Sequence, residues 1–378
     1  LARVLIKLYI MSIYLDYNAT APLRPAVIAV MMDVLSNGPG NASSIHGFGR
    51  AAKKTVEDAR AHLAALINVD TQQIIFNSGA TEGNNTVLRF YGASPARILV
   101  SATEHPSVLM AAQAMNAEII PVHANGMVDL DAFEKMCASS PAPALVSVML
   151  VNNETGVINP VADVARIAHA CGAAVHVDAV QALGKIPIDF AALGADFMTL
   201  SAHKCGGPQG IGALVIGNGD TGTCLPPPVL LLGGGQERSL RAGTENIACI
   251  AGFGALAREL RDAPAVPSFQ TEIEDILRAV RNDTVIFGAD APRVSNTVCF
   301  AVPGMDAQTI LMKLDLMGVA VSSGSACSSG KVRDSHVLSA MNMAPSIRRG
   351  AIRISTGWAT TSDEIQEFGR IWQNLTEN

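Results

Sequence analysis

Apolar positions along this chain fall into short, nearly unbroken runs, separated by stretches with helical spacing. Gly49 to Ile67 places apolar side chains at helical intervals and predicts a helix. Ile74-Ile-Phe76 follows as a short strand, then the turn Asn77-Ser-Gly-Ala-Thr-Glu-Gly83 and another helix. Ile98-Leu-Val100 runs as a strand to Glu104-His105-Pro106, and Leu145 to Val151 runs into Asn152-Asn-Glu-Thr-Gly156. A helix from about Val161 to Cys171 leads to the strand Ala173–Asp178. The next strand starts at Asp196 and ends in Ser201-Ala-His-Lys204, and Ile211–Ile216 is a further one. Apolar strands alternating with helices imply a mostly parallel sheet covered by helices on both faces. Such sheets bind ligands beyond the carboxyl ends of their strands, where His105, Asn153, Asp178 and Lys204 all fall.

The pattern breaks at Ala263-Pro-Ala-Val-Pro267, which reads as a domain boundary. Beyond it come a helix at about Phe269–Arg281, strands near Thr284–Phe287 and Asn296–Val302, and a helix from Asp306 to Met317. A strand then enters the small-residue loop Ser322-Ser-Gly-Ser-Ala-Cys327-Ser-Ser-Gly330. The last helix opens near Thr361, with Glu364 placed for a capping box. The expected division is a large α/β unit over 22–262 and a smaller α/β unit from 12–21 with 263–378. Residues 1–10 are apolar with Arg3 and Lys7 but lead to no small-residue cleavage site. Met11-Ser12 looks like a natural start, so 1–10 read as upstream or non-native.

Composition narrows the class. The 378 residues are 49% hydrophobic and 16% charged, enough for a sizeable core and against disorder. The net charge of −6, with no basic run, argues against a nucleic-acid surface. No apolar run reaches transmembrane length, so no membrane partner is expected. The seven cysteines include no CxxC pair, which speaks against a disulfide framework or zinc ribbon and for a reducing, cytoplasmic setting. No metal site is expected.

Candidate chemistry centres on Lys204. A lysine where an apolar strand gives way to Gly206-Gly-Pro208 is out of place as a surface charge. Burial there lowers its pKa and makes it a nucleophilic amine, as a Schiff base requires. Asp178, at the exit of another strand, would hold a pyridine nitrogen protonated. Together they are what a pyridoxal phosphate site needs. Ser78-Gly79-Ala80-Thr81 joins a strand to a helix, so its N–H groups and the Thr81 hydroxyl suit a phosphate, with Ser201 and His203 as further contacts. His105 offers a flat ring for stacking, and Gln181 lies one turn past Asp178, in reach of a ring oxygen. Cys327 sits in a loop of the kind that exposes a thiol. Arg353 is a lone charge in the apolar strand Ala351-Ile-Arg-Ile-Ser355, where a substrate carboxylate or a structural ion pair would satisfy it.

With these residues assembled, the chain resembles the cysteine desulfurases of the NifS/IscS type, in the class V group of fold-type I pyridoxal phosphate enzymes. The matching segments run from Tyr14-Leu-Asp-Tyr-Asn-Ala-Thr-Ala-Pro22 through Asn41-Ala-Ser-Ser-Ile-His46, Ser78-Gly-Ala-Thr-Glu82 and Thr103-Glu-His105. They continue through Val151-Asn-Asn-Glu-Thr-Gly156, His176-Val-Asp-Ala-Val-Gln181, Ser201-Ala-His-Lys204, Gly233-Gly-Gly-Gln-Glu-Arg238 and Arg241-Ala-Gly-Thr244 to Ser322-Ser-Gly-Ser-Ala-Cys327. The resemblance implies a large domain with a seven-stranded-type sheet and a smaller C-terminal domain. It implies that Lys204 bonds the cofactor, Asp178 pairs with the pyridine nitrogen, Gln181 with the phenolic oxygen, and His105 stacks on the ring. Gly79, Ala80, Thr81, Ser201 and His203 would hold the phosphate, and Thr244 would reach that of a neighbouring subunit in a homodimer. Asn153 and Arg353 would hold L-cysteine. Cys327 would take its sulfur as a persulfide, leave L-alanine, and pass the sulfur to an acceptor or iron–sulfur scaffold protein. Gln209 stands where the family commonly has lysine. A selenocysteine lyase or class V aminotransferase, and a non-catalytic sulfur-relay protein, are the alternatives. The Cys327 loop argues against a plain aminotransferase, and the presence of Lys204, Asp178, His105 and Arg353 against a mere relay.

Overall fold

The apolar runs become strands buried on both faces. The computed structural model describes residues 13–38, 40–93, 96–218, 228–262, 267–323 and 334–377. Cys327, the expected boundary at 263–266 and residues 1–10 lie outside them. In chain order the strands are β1 (Ile13–Tyr14), β2 (Ile74–Asn77), β3 (Ile98–Ser101), β4 (Glu118–Ile120), β5 (Leu145–Ser147), β6 (Ala174–Asp178) and β7 (Phe197–Ser201). They continue as β8 (Gly212–Ile216), β9 (Val285–Ile286), β10 (Thr297–Ala301), β11 (Val319–Ala320), β12 (Ser322–Ser323) and β13 (Ile352–Ser355).

The large sheet has seven strands in the order β2-β8-β7-β6-β5-β3-β4. The pairs from β7 to β4 are parallel, while β8 is antiparallel to both β2 and β7. The reversal follows from the connection: β7 and β8 are joined by a short turn through Gly206–Gly210, too short for the crossover that parallel strands require. Period-two alternation then divides side chains between the faces. Ile74, Phe76, Leu99, Val175 and Val177 join a core on one face, beneath the helices Gly47–Ile67, Val161–Ala170 and Ile247–Asp262. Ile75, Ile98, Val100 and Ala174 face the other, under the helices Ala80–Gly92 and Pro106–Ala114. The strand read from Leu145 to Val151 ends as β5 at Ser147, but Val148 and Leu150 still donate to the His176 and Asp178 carbonyls, 3.1 and 3.0 Å away. This drift along β6 steers the chain into the Asn152–Gly156 turn beside the β6 exit.

A second core forms around the four-stranded antiparallel sheet β12-β13-β10-β9. Phe300 and Phe368 pack on the fully buried Trp372, with ring centroids 5.4 and 6.3 Å away. Ile13 and Leu15 belong to this core, because β1 pairs in parallel with β11 and Asp16 bridges Ser355. The final helix, Ser362–Glu377, opens on the expected capping box. The Thr361 N–H donates to Glu364 Oε2 at 2.8 Å and the Glu364 N–H to Thr361 Oγ1 at 3.3 Å. Among the described residues no helix is long and apolar enough to cross a membrane.

Candidate active site

The carboxyl ends of β2, β3, β5, β6 and β7 and the reversed start of β8 meet at one end of the large sheet. There they border a cavity of about 690 Å³. Its walls include Gly79, Ala80, Thr81, His105, Asn153, Asp178, Gln181, Ser201, His203, Lys204 and Arg353. Residues spread over 275 positions of sequence thus converge because strand order, not chain order, sets their neighbours.

Lys204 ends the single turn Ala202–Lys204 that follows β7. Its Nζ donates to the carbonyls of Asn18 and Ala19 at 2.9 and 2.8 Å. Both acceptors are neutral, so they orient the amine without an ion pair. Burial pushes its pKa down to about 8; Arg353 adds to the shift, and Asp16 and Asp178 oppose it. An appreciable fraction is then free base near neutral pH, the form that attacks a carbonyl.

Asp178 closes β6 and is buried. Its Oδ2 accepts from Asn84 Nδ2 at 2.7 Å, and its Oδ1 from the Val180 N–H at 3.1 Å. Asn84 Nδ2 also donates to Ser107 Oγ at 2.9 Å. His105 caps the helix Pro106–Ala114, and its Nδ1 accepts from the Ser107 N–H at 3.1 Å. That bond places the proton of the neutral ring on Nε2. Burial lowers the His105 pKa, and Lys204 and His336 reinforce it against Asp178. The imidazole is therefore a neutral, flat surface near neutral pH.

Gly79 caps the helix Ala80–Gly92 at φ +145°, a conformation glycine adopts without the strain other residues meet. The strand beside it must also be bare. A Cβ on Gly212 would lie 2.5 Å from the Leu200 oxygen and 2.7 Å from the Gly79 Cα. The helix thereby starts against the sheet, and the N–H groups of Ala80 and Thr81, which have no intrahelical acceptor, open onto the cavity. Arg241 ties this start down through Glu82, at 2.9 Å, and Glu82 also accepts the Ser78 N–H at 2.9 Å. Buried Ser201 lies on the same cavity's wall. His203 bonds Thr20 Oγ1 at 3.2 Å, and burial, with Lys204 adding to it, pushes its pKa down to about 4. Thr244 is exposed and does not line this cavity.

Arg353 is not a charge awaiting an anion, as its apolar strand suggests. Its Nη2 meets Asp16 Oδ1 at 2.8 Å, and its Nη1 donates to the Asn153 carbonyl at 2.8 Å. Asp16 arrives because the chain leaving β1 bridges β13 at Ser355, a long-range pairing that local pattern does not announce. The site is still not saturated: Arg353 Nε and Asn153 Oδ1 are buried without partners. Across β12, Ser322 lies opposite Arg353 and lines the cavity. Thirteen residues after Ser322, Ser335 Oγ donates to buried Glu154 Oε2 at 2.5 Å, and His336 Nε2 lies 2.8 Å from the Glu104 backbone carbonyl oxygen. Both flanks of the segment carrying Cys327 therefore adjoin the site.

Some members of the site had no assigned role in the sequence. Asn84 stands in the stripe Asn84, Val87, Leu88, Tyr91 at i, i+3, i+4 and i+7, so a polar residue in an apolar stripe was the available signal. Ser107 had none beyond its neighbour His105. Asn18 and Lys185 emerge only from the tertiary fold.

The fold is that of a family of pyridoxal phosphate enzymes. The chain belongs to the aminotransferase class-V family, which matches residues 13–368. It is 40% identical over 369 residues to a cysteine desulfurase of Cereibacter sphaeroides, covering 94% of this chain and 93% of that one. It is 38% identical over 380 residues to the cysteine desulfurase IscS of Dictyoglomus turgidum, covering 97% and 95%. Its fold matches the crystal structure of a NifS-like protein from Rickettsia africae with a TM-score of 0.85 at 32% identity, covering 97% and 100%.

Proposed function

We propose that this chain is a pyridoxal-phosphate-dependent cysteine desulfurase that converts L-cysteine to L-alanine and leaves the sulfur as a persulfide on Cys327. The observation that carries the proposal is the meeting, in one cavity, of an amine with a pKa of about 8, a buried carboxylate and an open helix start. A phosphorylated pyridine aldehyde fits this donor set. Lys204 would bond its aldehyde, Asp178 its ring nitrogen, Gln181 its ring oxygen, and Gly79, Ala80, Thr81, Ser201 and His203 its phosphate, with His105 against the ring face. When bound, pyridoxal phosphate supplies an electron sink for the substrate α-carbon.

The chain's own residues supply placement and proton transfer. Arg353 and Asn153 would take the substrate carboxylate: Arg353 Nε has no partner, and Nη2 would exchange its bond to Asp16 for one to the substrate. Lys204, once free, takes the α-proton and returns a proton to the product carbon. The Cys327 thiolate attacks the substrate sulfur: the carbon–sulfur bond breaks, a sulfur–sulfur bond forms, and the electron pair stays with carbon, which ends as the methyl group of alanine. The persulfide would then serve a sulfur acceptor in iron–sulfur or other sulfur-cofactor assembly, which the names of the relatives support. Cysteine usage supports a cytoplasmic setting.

A yellow purified protein that makes equal amounts of alanine and labile sulfur from L-cysteine is the expected result; a colourless protein that makes neither would sink the proposal. In the same assay, Arg353→Ala should lower kcat/KM by roughly 2–4 kcal/mol, the scale for losing a buried charge partner. Arg353→Lys keeps the charge but not the fork, so it should act mainly on KM. Normal kinetics with a lower melting temperature would make Arg353 only the structural partner of Asp16.

The division at residue 262 and a homodimer complete the proposal. The second core, which joins Ile13 and Leu15 to residues from Ile273 onward, supports the division. The helix Pro25–Ser36 supports the dimer: only Val27 is buried, while Ile28, Met32 and Leu35 form an exposed stripe. Thr244 is exposed and off its own cavity, so it would serve that of a second copy. Sedimentation equilibrium should give twice the chain mass, and Thr244→Ala should weaken cofactor retention with little change in cysteine affinity. A monomer that retains cofactor and full activity would refute the shared site.

A further inference from the structure

Lys185 has no part in the proposed chemistry, yet it adjoins two residues that do. It lies four residues past Gln181, behind the cavity wall, and is part-buried. Its Nζ donates to Asn18 Oδ1 at 2.6 Å and to Gln181 Oε1. Gln181 Nε2 in turn donates to the Asn18 carbonyl at 3.0 Å. That carbonyl is also one of the two acceptors holding Lys204. Asn18 is itself moored to the second core, donating to Thr297 Oγ1 at 2.9 Å and accepting from Asn296 Nδ2 at 3.3 Å.

A lysine ammonium has donors only, and an amide has one donor end and one acceptor end. Lys185 therefore claims the oxygen of Gln181, and the nitrogen must point away from it. One N–H of that nitrogen goes to the Asn18 carbonyl, leaving the second for the cavity, which Gln181 lines. Without Lys185, Gln181 Oε1 would be an unsatisfied buried acceptor. Relieving it means turning the amide, which also disturbs the Asn18 carbonyl.

We propose that Lys185 is a positioning residue: it holds Gln181 as a hydrogen-bond donor toward the cavity and fixes the Asn18 carbonyl that orients Lys204. The proposal rests on the pyridoxal phosphate reading and deepens it. The cationic groups facing Lys185 are Lys204 and Arg353; Cys205 opposes them. Arg24 shares with Lys185 the lining of a small cavity on its far side. Burial, and then Lys204 and Arg353, push the Lys185 pKa well below its ordinary value. Even as a neutral amine Lys185 has two N–H groups for its two acceptors, and the Asn18 carbonyl still requires the Gln181 nitrogen, so the arrangement does not depend on the charge.

The test uses the full-length protein loaded with pyridoxal phosphate, as wild type, Lys185→Met and Lys185→Gln. The readouts are the pH midpoint of the visible absorption band, and kcat and KM for L-cysteine. Loss of one donor to an anionic ring oxygen should raise the midpoint in Lys185→Met by about one unit. Lys185→Gln, which keeps an N–H donor, should return it most of the way. A Lys185→Met protein that titrates at the wild-type midpoint and only melts lower would overturn the proposal. If that variant does not fold, Gln181→Glu decides: it has no donor, so the midpoint must rise with Lys185 in place, and an unchanged midpoint overturns the proposal. A wild type with no visible band would instead refute the cofactor reading, and this proposal with it.

Discussion

Lys204→Ala is expected to abolish alanine production from L-cysteine while leaving the far-ultraviolet circular dichroism unchanged. The fold does not depend on this amine: its two bonds go to the Asn18 and Ala19 carbonyls, and neither strand of its neighbourhood is paired through it. The chemistry does depend on it, because no other described lysine lines the cavity. The loss should reach at least about 10²–10⁴-fold, the range for one positioned acid–base group. The cofactor should be retained only weakly, through Asp178 and the helix start. The wild-type amine also makes a pH prediction. Only the free base attacks an aldehyde, and burial sets its pKa at about 8. The rate at which cofactor-free protein acquires its visible band should therefore rise about tenfold per unit at lower pH and level off above about 8. A rate that stays flat from pH 6 to 9 would contradict the assignment, as would an alanine variant that turns over normally.

Cys327→Ser is expected to keep the visible band and cofactor retention but to form no persulfide. Every described cysteine whose pKa is displaced is displaced against ionisation. Burial pushes Cys205, beside Lys204, up to about 12, and raises Cys137, Cys249 and Cys299 as well. At pH 7 a thiol like Cys205 is thiolate in only about one molecule in 10⁵, so it is a poor sulfur acceptor despite its position. The flanks of the Cys327 segment, by contrast, meet the site at Ser322 and at Ser335. Mass spectrometry after cysteine treatment should find the added sulfur on Cys327 in the wild type and nowhere in the variant. Added sulfur on Cys205 in both proteins would move the acceptor role there.

Much of the site was legible because its residues break local rules. Lys204 and Asp178 end apolar strands, and Gly79 precedes a helix; each is an exception that local pattern exposes. The parallel direction of β3, β5, β6 and β7 followed from the helices between the apolar strands, but their order, and β4, which the apolar pattern did not mark, came only from the fold. What stayed hidden depended on contacts distant in sequence. The Arg353–Asp16 pair spans 337 residues, and the Asn18 bonds to Lys204 and Lys185 span 186 and 167. No periodicity encodes such meetings. The reversal of β8 lay between these cases: the turn was visible, but its effect on direction needed the geometry of the sheet.

The mooring of the Tyr14–Asn18 segment also orders events during synthesis. Its partners include β11, Thr297 and Ser355, so it has nothing to pair with when it leaves the ribosome. At roughly 5–20 residues per second, Asp16 would wait on the order of 20 to 70 s for Arg353. Over that interval the large sheet can complete itself, but Lys204 lacks the settled carbonyls that aim it. A nascent chain released before β13 would thus hold a formed sheet and an unaimed amine. A segment made early thus becomes one of the last to take its place.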